Sequence, residues 1–99
     1  MFDEIDGLNV TIAKFTLGAL VATPNALAQV PNEEIFLALS RHARGDWGTL
    51  DHEDMEANDQ ALKRGGRLLS SYQSSGNVKF WIITEADRSV TTVLLPEDY

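Results

Sequence analysis

The stretch that most constrains this chain is VKFWIITE, residues 78–85, because apolar side chains fall on both faces of any strand it could form. Val78, Phe80 and Ile82 share one face, and Trp81 and Ile83 share the other. Such a strand belongs inside a sheet covered on both sides, or it leaves an apolar face open to bind something. Strand-like runs at 67–73 and 89–95 flank it across the turns SSGN and ADRS, which predicts a three-stranded C-terminal meander.

Upstream, apolar residues tend to alternate at Leu8, Val10, Ile12, Leu17, Ala19 and Val21. That is the period of a half-buried strand over 8–22, broken near Lys14. Thr23-Pro24 reads as a capped helix start, and Pro31 closes that helix after a turn or two. A second helix opens at Asn32, with Glu33 and Glu34 where the helix dipole favours negative charge. Its expected apolar stripe is Ile35, Phe36, Leu39 and Ala43; Arg41 and Arg44 suit its last turn, and Gly45 stops it. A third, polar helix runs over 51–64 with Asp51 as cap, Gly65-Gly66 as stop, and a thin stripe of Met55 and Leu62 with Asn58 between them.

The expected fold is therefore α+β: a small antiparallel sheet, formed by an N-terminal strand and the C-terminal meander, with two to three helices packed mainly on one face. Residues 1–7 read as a flexible acidic leader and 8–99 as one domain, since 99 residues leave no room for a second core.

Fifteen acidic against eight basic side chains give a formal charge of −7, which disfavours direct binding to a phosphate backbone and suits a basic partner surface. With no cysteine, disulfides, thiolate chemistry and thiolate zinc sites are excluded. The acidic start does not resemble a signal peptide and no apolar run spans a bilayer, so a cytoplasmic protein without membrane association is expected. No Gly-rich phosphate loop or nucleophile elbow is present, and no cofactor is expected.

Three clusters carry candidate chemistry. RHARGDWG, 41–48, combines His42 with two arginines that could steady a phosphate, but a helix end followed by a Trp47 anchor explains every residue except His42. DHEDMEAND, 51–59, sets out Asp51, Glu53, Asp54, Glu56 and Asp59 along one element. His52 and Glu56 lie one helical turn apart, yet two ligands without a third make no metal site. As a surface, the five carboxylates can imitate a phosphate row toward a basic partner. ITEADRSVTT, 83–92, offers Glu85 and Arg88, which with His42 would supply the base, cation and acid of a metal-independent ribonuclease.

The strings LGALVATPNAL, RHARGDWGTLDHEDMEANDQAL and GRLLSSYQSSGNVKFWIITEADRSVTTVLLPEDY resemble a family of small bacterial proteins carried on plasmids and integrative elements. Many of its members are labelled type I restriction endonuclease subunit M or plasmid-related protein. Methyl transfer is not implied, because 99 residues without a Gly-rich turn cannot house a cofactor domain and a base-flipping pocket. What the resemblance implies is company on mobile elements, whose small acidic proteins include inhibitors of host defence. The favoured expectation is a non-enzymatic protein that binds a basic protein surface, such as a nucleic-acid-handling complex of the CRISPR or restriction type. Asp51, Glu53, Asp54, Glu56 and Asp59 would form the electrostatic contact, with Trp47, Trp81 and Tyr99 as anchors. The alternatives are the ribonuclease using His42, Glu85 and Arg88, and an accessory domain that homodimerises through its meander.

Overall fold

The computed structural model describes residues 13–99; the acidic leader and the expected strand positions Leu8, Val10 and Ile12 lie outside them. The described elements are β1 (Ala19–Ala22), α1 (Pro24–Gln29), α2 (Asn32–Ala43), α3 (His52–Arg64), β2 (Leu68–Gln73), β3 (Lys79–Thr84) and β4 (Val90–Leu94). A 3-10 turn, Pro96–Asp98, follows. The four strands form one sheet in the order β1-β4-β3-β2. The two-faced run that dominates the sequence is β3, an inner strand paired with both other arms of the meander.

The α+β class, the N-terminal strand and the C-terminal meander are as the sequence predicts. The sheet is mixed, however, since β1 lies parallel to β4, with Ala19 opposite Val90 and Ala22 opposite Val93. Parallel neighbours need a long crossover rather than a hairpin, and the three helices between β1 and β2 supply it.

Helix α1 begins where Thr23 Oγ1 accepts from the Ala26 amide, with Pro24 at its first position. Helices α1 and α2 bring Ala26, Val30, Ile35, Ala38 and Leu39 onto Tyr72, Phe80, Ile82, Val93 and Leu95 to form the core. The inward positions of α2 are Ile35, Ala38, Leu39 and His42, the i, i+3, i+4, i+7 set. Phe36 is thereby turned about a quarter of the way round the helix and stands 67% exposed, which corrects the expected stripe.

Helix α3 does not cover a sheet face; it lies along the outer edge of β2. Its one buried residue is Asn58. That side chain satisfies an edge residue completely: Asn58 Nδ2 donates to the Leu69 carbonyl at 2.6 Å, and the Leu69 amide donates to Asn58 Oδ1 at 3.1 Å. The next outward residue, Ser71, is served by the loop before α3. Its amide donates to the Trp47 carbonyl at 3.2 Å, and its carbonyl accepts from the Thr49 amide at 2.7 Å. Replacing Asn58 with Ala orphans both Leu69 groups, so unfolding free energy should fall by about 2 kcal/mol in a urea titration.

Candidate functional site

Every residue of the 41–48 stretch has a structural partner. Arg41 forks onto Asp46, with Nε to Oδ2 at 2.8 Å and the terminal nitrogen to Oδ1 at 3.2 Å, while its guanidinium lies 4.8 Å from the Tyr72 ring centre. The hydrogen bond from Arg41 holds the Asp46 carboxyl below its ordinary range. Tyr72 donates its hydroxyl to the Asp46 carbonyl at 2.6 Å, and Arg44 bonds Ser40 Oγ. Gly45 ends α2 with a positive φ of 83°. Trp47 corrects an expectation: it is 4% exposed, packed against Phe15 and His42, with its indole N–H donated to Asp59. In this conformation it is an internal anchor and offers no ring to a partner.

His42 is fully buried, at 0% exposure. Its Nδ1 lies 2.5 Å from Ser70 Oγ and its Nε2 lies 2.9 Å from Thr84 Oγ1. Thr84 Oγ1 is 2.7 Å from Thr91 Oγ1, and Thr91 donates to the Leu17 carbonyl at 2.7 Å. The direction of this chain follows from its end. The Leu17 carbonyl can only accept, so Thr91 spends its proton there and must accept from Thr84. Thr84, its own proton spent, accepts from His42 Nε2–H. The chain fixes the proton on Nε2, and burial, which disfavours the charged form, makes the imidazole neutral with Nδ1 the acceptor. Burial first, and the Arg88 charge second, push its pKa down to about 4.

The structure does not assemble His42, Glu85 and Arg88 into an accessible catalytic site. Arg88 donates to the carbonyls of Gly66, Glu85, Ala86 and Ala61, tying the 85–89 turn to the end of α3. Glu85 pairs with Arg67 at 3.3 Å. Nothing in the sequence joins His42 to Ser70, Thr84 and Thr91, because the polar layer exists only through long-range packing.

The five acidic residues are placed differently. Asp51, Glu53, Asp54, Glu56 and Asp59 are all exposed on α3 and the residue preceding it. Asp51 caps the helix by accepting from the Asp54 amide at 2.8 Å, and Asp59 accepts from Trp47. Among the described residues, the ion pairs are Arg41–Asp46 and Arg67–Glu85, and none of the five takes part in one. No group of three or more potential metal ligands occurs among the described residues. Beyond the C-terminal end of α3, Arg67 donates to the Tyr99 hydroxyl at 2.7 Å, and the Tyr99 ring, 71% exposed, meets Trp81 edge-on at 5.9 Å.

These features define a small α+β protein with an internal polar layer and, on its surface, an acidic helix whose carboxylates form no ion pair among the described residues. Comparison with protein-family models, curated proteins and solved structures gave no match. No helix among the described residues is long and apolar enough to cross a membrane.

Proposed function

We propose that the protein is a non-enzymatic interaction protein that docks the acidic N-terminal half of α3, with its cap Asp51, on a basic surface of a protein partner. The observation that carries this reading is the set of five exposed carboxylates, none of which forms an ion pair among the described residues. A solvated acidic helix holds its charges at little cost, and a basic partner gains both steering and register from them. Tyr99, with the half-buried Trp81 beside it, offers an exposed aromatic ring as a second contact. The partner chemistry is that of a surface that ordinarily holds nucleic acid, and the resemblance to proteins of mobile elements points to a host defence complex of the CRISPR or restriction type, blocked by occupation. The ribonuclease alternative is not favoured, because its imidazole has no contact with solvent.

The test is capture from a bacterial host lysate with the wild type and with the Asp51→Asn/Glu53→Gln/Asp54→Asn/Glu56→Gln variant, identified by mass spectrometry. Asn keeps the helix cap, so the fold is retained. Affinity for the captured partner should drop about ten- to hundredfold at low ionic strength and lose most of its salt dependence. A partner held equally well by both forms would eliminate the acidic-helix reading.

A further inference from the structure

The two edges of the sheet are treated oppositely. On β2 the outward-facing backbone groups of Leu69 and Ser71 are satisfied by Asn58, Trp47 and Thr49. On β1 the amides of Ala19 and Thr23 donate to Ser89 and Val93 on the β4 side. By the alternation of strand hydrogen bonds, the groups of Leu20 and Ala22 point outward, and no strand among the described residues pairs with them. The edge strand Ala19–Ala22 is short, at 4 residues, but it carries no lysine or proline to block a partner strand.

The flanks of that edge are apolar. Leu20 is 52% exposed, Val21 47%, Leu27 56% and Phe36 67%. Two adjoining grooves, about 350 and 450 Å³, meet at Leu20 and Leu39. No charged side chain lines either groove, in a chain with 23% charged residues. A basic partner or an anionic membrane would find no counter-charge here. A second copy, itself carrying −7, could approach only through a surface free of carboxylates.

We propose that two copies of this chain join edge to edge through β1, antiparallel and centred on Val21, into one continuous sheet. In this register Leu20 and Ala22 of one copy exchange backbone hydrogen bonds with Ala22 and Leu20 of the other, and the two Val21 residues form the close non-hydrogen-bonded pair. Leu20, Leu27 and Phe36 of each copy then lie near the two-fold axis and cover the grooves. An isologous contact of this kind requires a self-complementary patch, which a neutral strand beside apolar side chains provides. The expected homodimer therefore uses β1 rather than the meander edge, which Asn58 and the 47–49 loop already occupy.

Sedimentation velocity on the full chain tests this. A dimer should form with rising concentration and tighten with added salt, because salt screens the repulsion between acidic copies. Binding through the α3 carboxylates weakens with salt, so failure of either proposal is distinguishable from failure of the other. Leu20→Lys should weaken the dimer about tenfold or more without changing the circular dichroism spectrum, whereas Leu37→Lys, outside both grooves, should leave it intact. Val21→Cys provides a second readout in a chain without cysteine: a non-hydrogen-bonded pair sets Cα atoms about 4.5 Å apart, within disulfide reach. Oxidation should give a covalent dimer with Val21→Cys and none with Ala57→Cys on the far edge. A monomer under all conditions, or a dimer that survives Leu20→Lys and resists cross-linking at Val21, overturns the proposal.

Discussion

Stability to urea should fall by about 3 kcal/mol as the pH drops from 7 to 4, and most of that dependence should vanish in a His42→Gln variant. The folded state holds His42 neutral with a pKa near 4, against 6.5 for the free side chain. Between those values the unfolded chain takes up a proton that the folded chain refuses, so acid favours unfolding. The contribution is complete above pH 6.5 and is lost as pH falls toward 4. Gln can replace both contacts, its amide nitrogen donating to Thr84 and its oxygen accepting from Ser70, without titrating. His42→Ala at pH 7 should cost about 3–4 kcal/mol, since it leaves a cavity and strips partners from a buried chain of hydroxyls. Two other effects of pH must be separated from this one. The carboxyls of Asp46 and Asp98 are held below their ordinary range by hydrogen bonds, from Arg41 and from Thr23 respectively, so their loss comes at lower pH. Relief of the net negative charge acts in the opposite direction, stabilising the fold on acidification. Both are shared by wild type and variant, so the difference between their pH curves isolates His42. Parallel curves between pH 6.5 and 4 would show that the buried neutral imidazole is not the source.

Much of this fold was legible because its signals are local. Thr23-Pro24, Asp51 and Gly45 mark helix ends through chemistry within a few residues, and the structure uses all three as predicted. The burial of Asn58 in the thin stripe of α3 was visible as an oddity, although its partner on β2 was not. His42 was more legible than Phe36 suggested. The positions seven residues after Ile35 and three after Leu39 both fall on it, and strict periodicity would have put the imidazole inside. Phe36 drew the stripe off line because its hydrophobicity outweighed its angle. What could not be read was non-local: the parallel placement of β1, the polar layer joining four residues from α2, β2, β3 and β4, and the difference between the sheet's edges. A strand's period reveals that it has two faces and says nothing about which neighbour lies beside it. The acidic helix is the converse case, because its charges are legible in the sequence while only the fold shows that they form no ion pair among the described residues.

The second large effect belongs to Gly48. Substitution by Ala should lower unfolding free energy by about 3 kcal/mol or more and the midpoint of thermal unfolding by about 15 °C. A Cβ there would sit 1.9 Å from the Ser71 carbonyl oxygen and 2.8 Å from a Tyr72 ring carbon, on a backbone with φ of +78°. The carbonyl belongs to the β2 backbone and cannot swing aside as a flexible side chain would. The loop must lift instead. Lifting it breaks the bonds of Trp47 and Thr49 to Ser71 and draws Trp47 away from Phe15 and His42. Gly65→Ala is the matched control, because its φ of +84° imposes the same kind of strain while nothing lies within 4 Å of the added carbon. It should cost about 1 kcal/mol, so the gap between the two variants measures the close approach rather than the dihedral angle. Equal losses at the two glycines would mean that the loop yields easily and does not seal the β2 edge. If the loop does seal it, Gly48→Ala should also begin to self-associate through β2, an association that Leu20→Lys on the opposite edge cannot suppress.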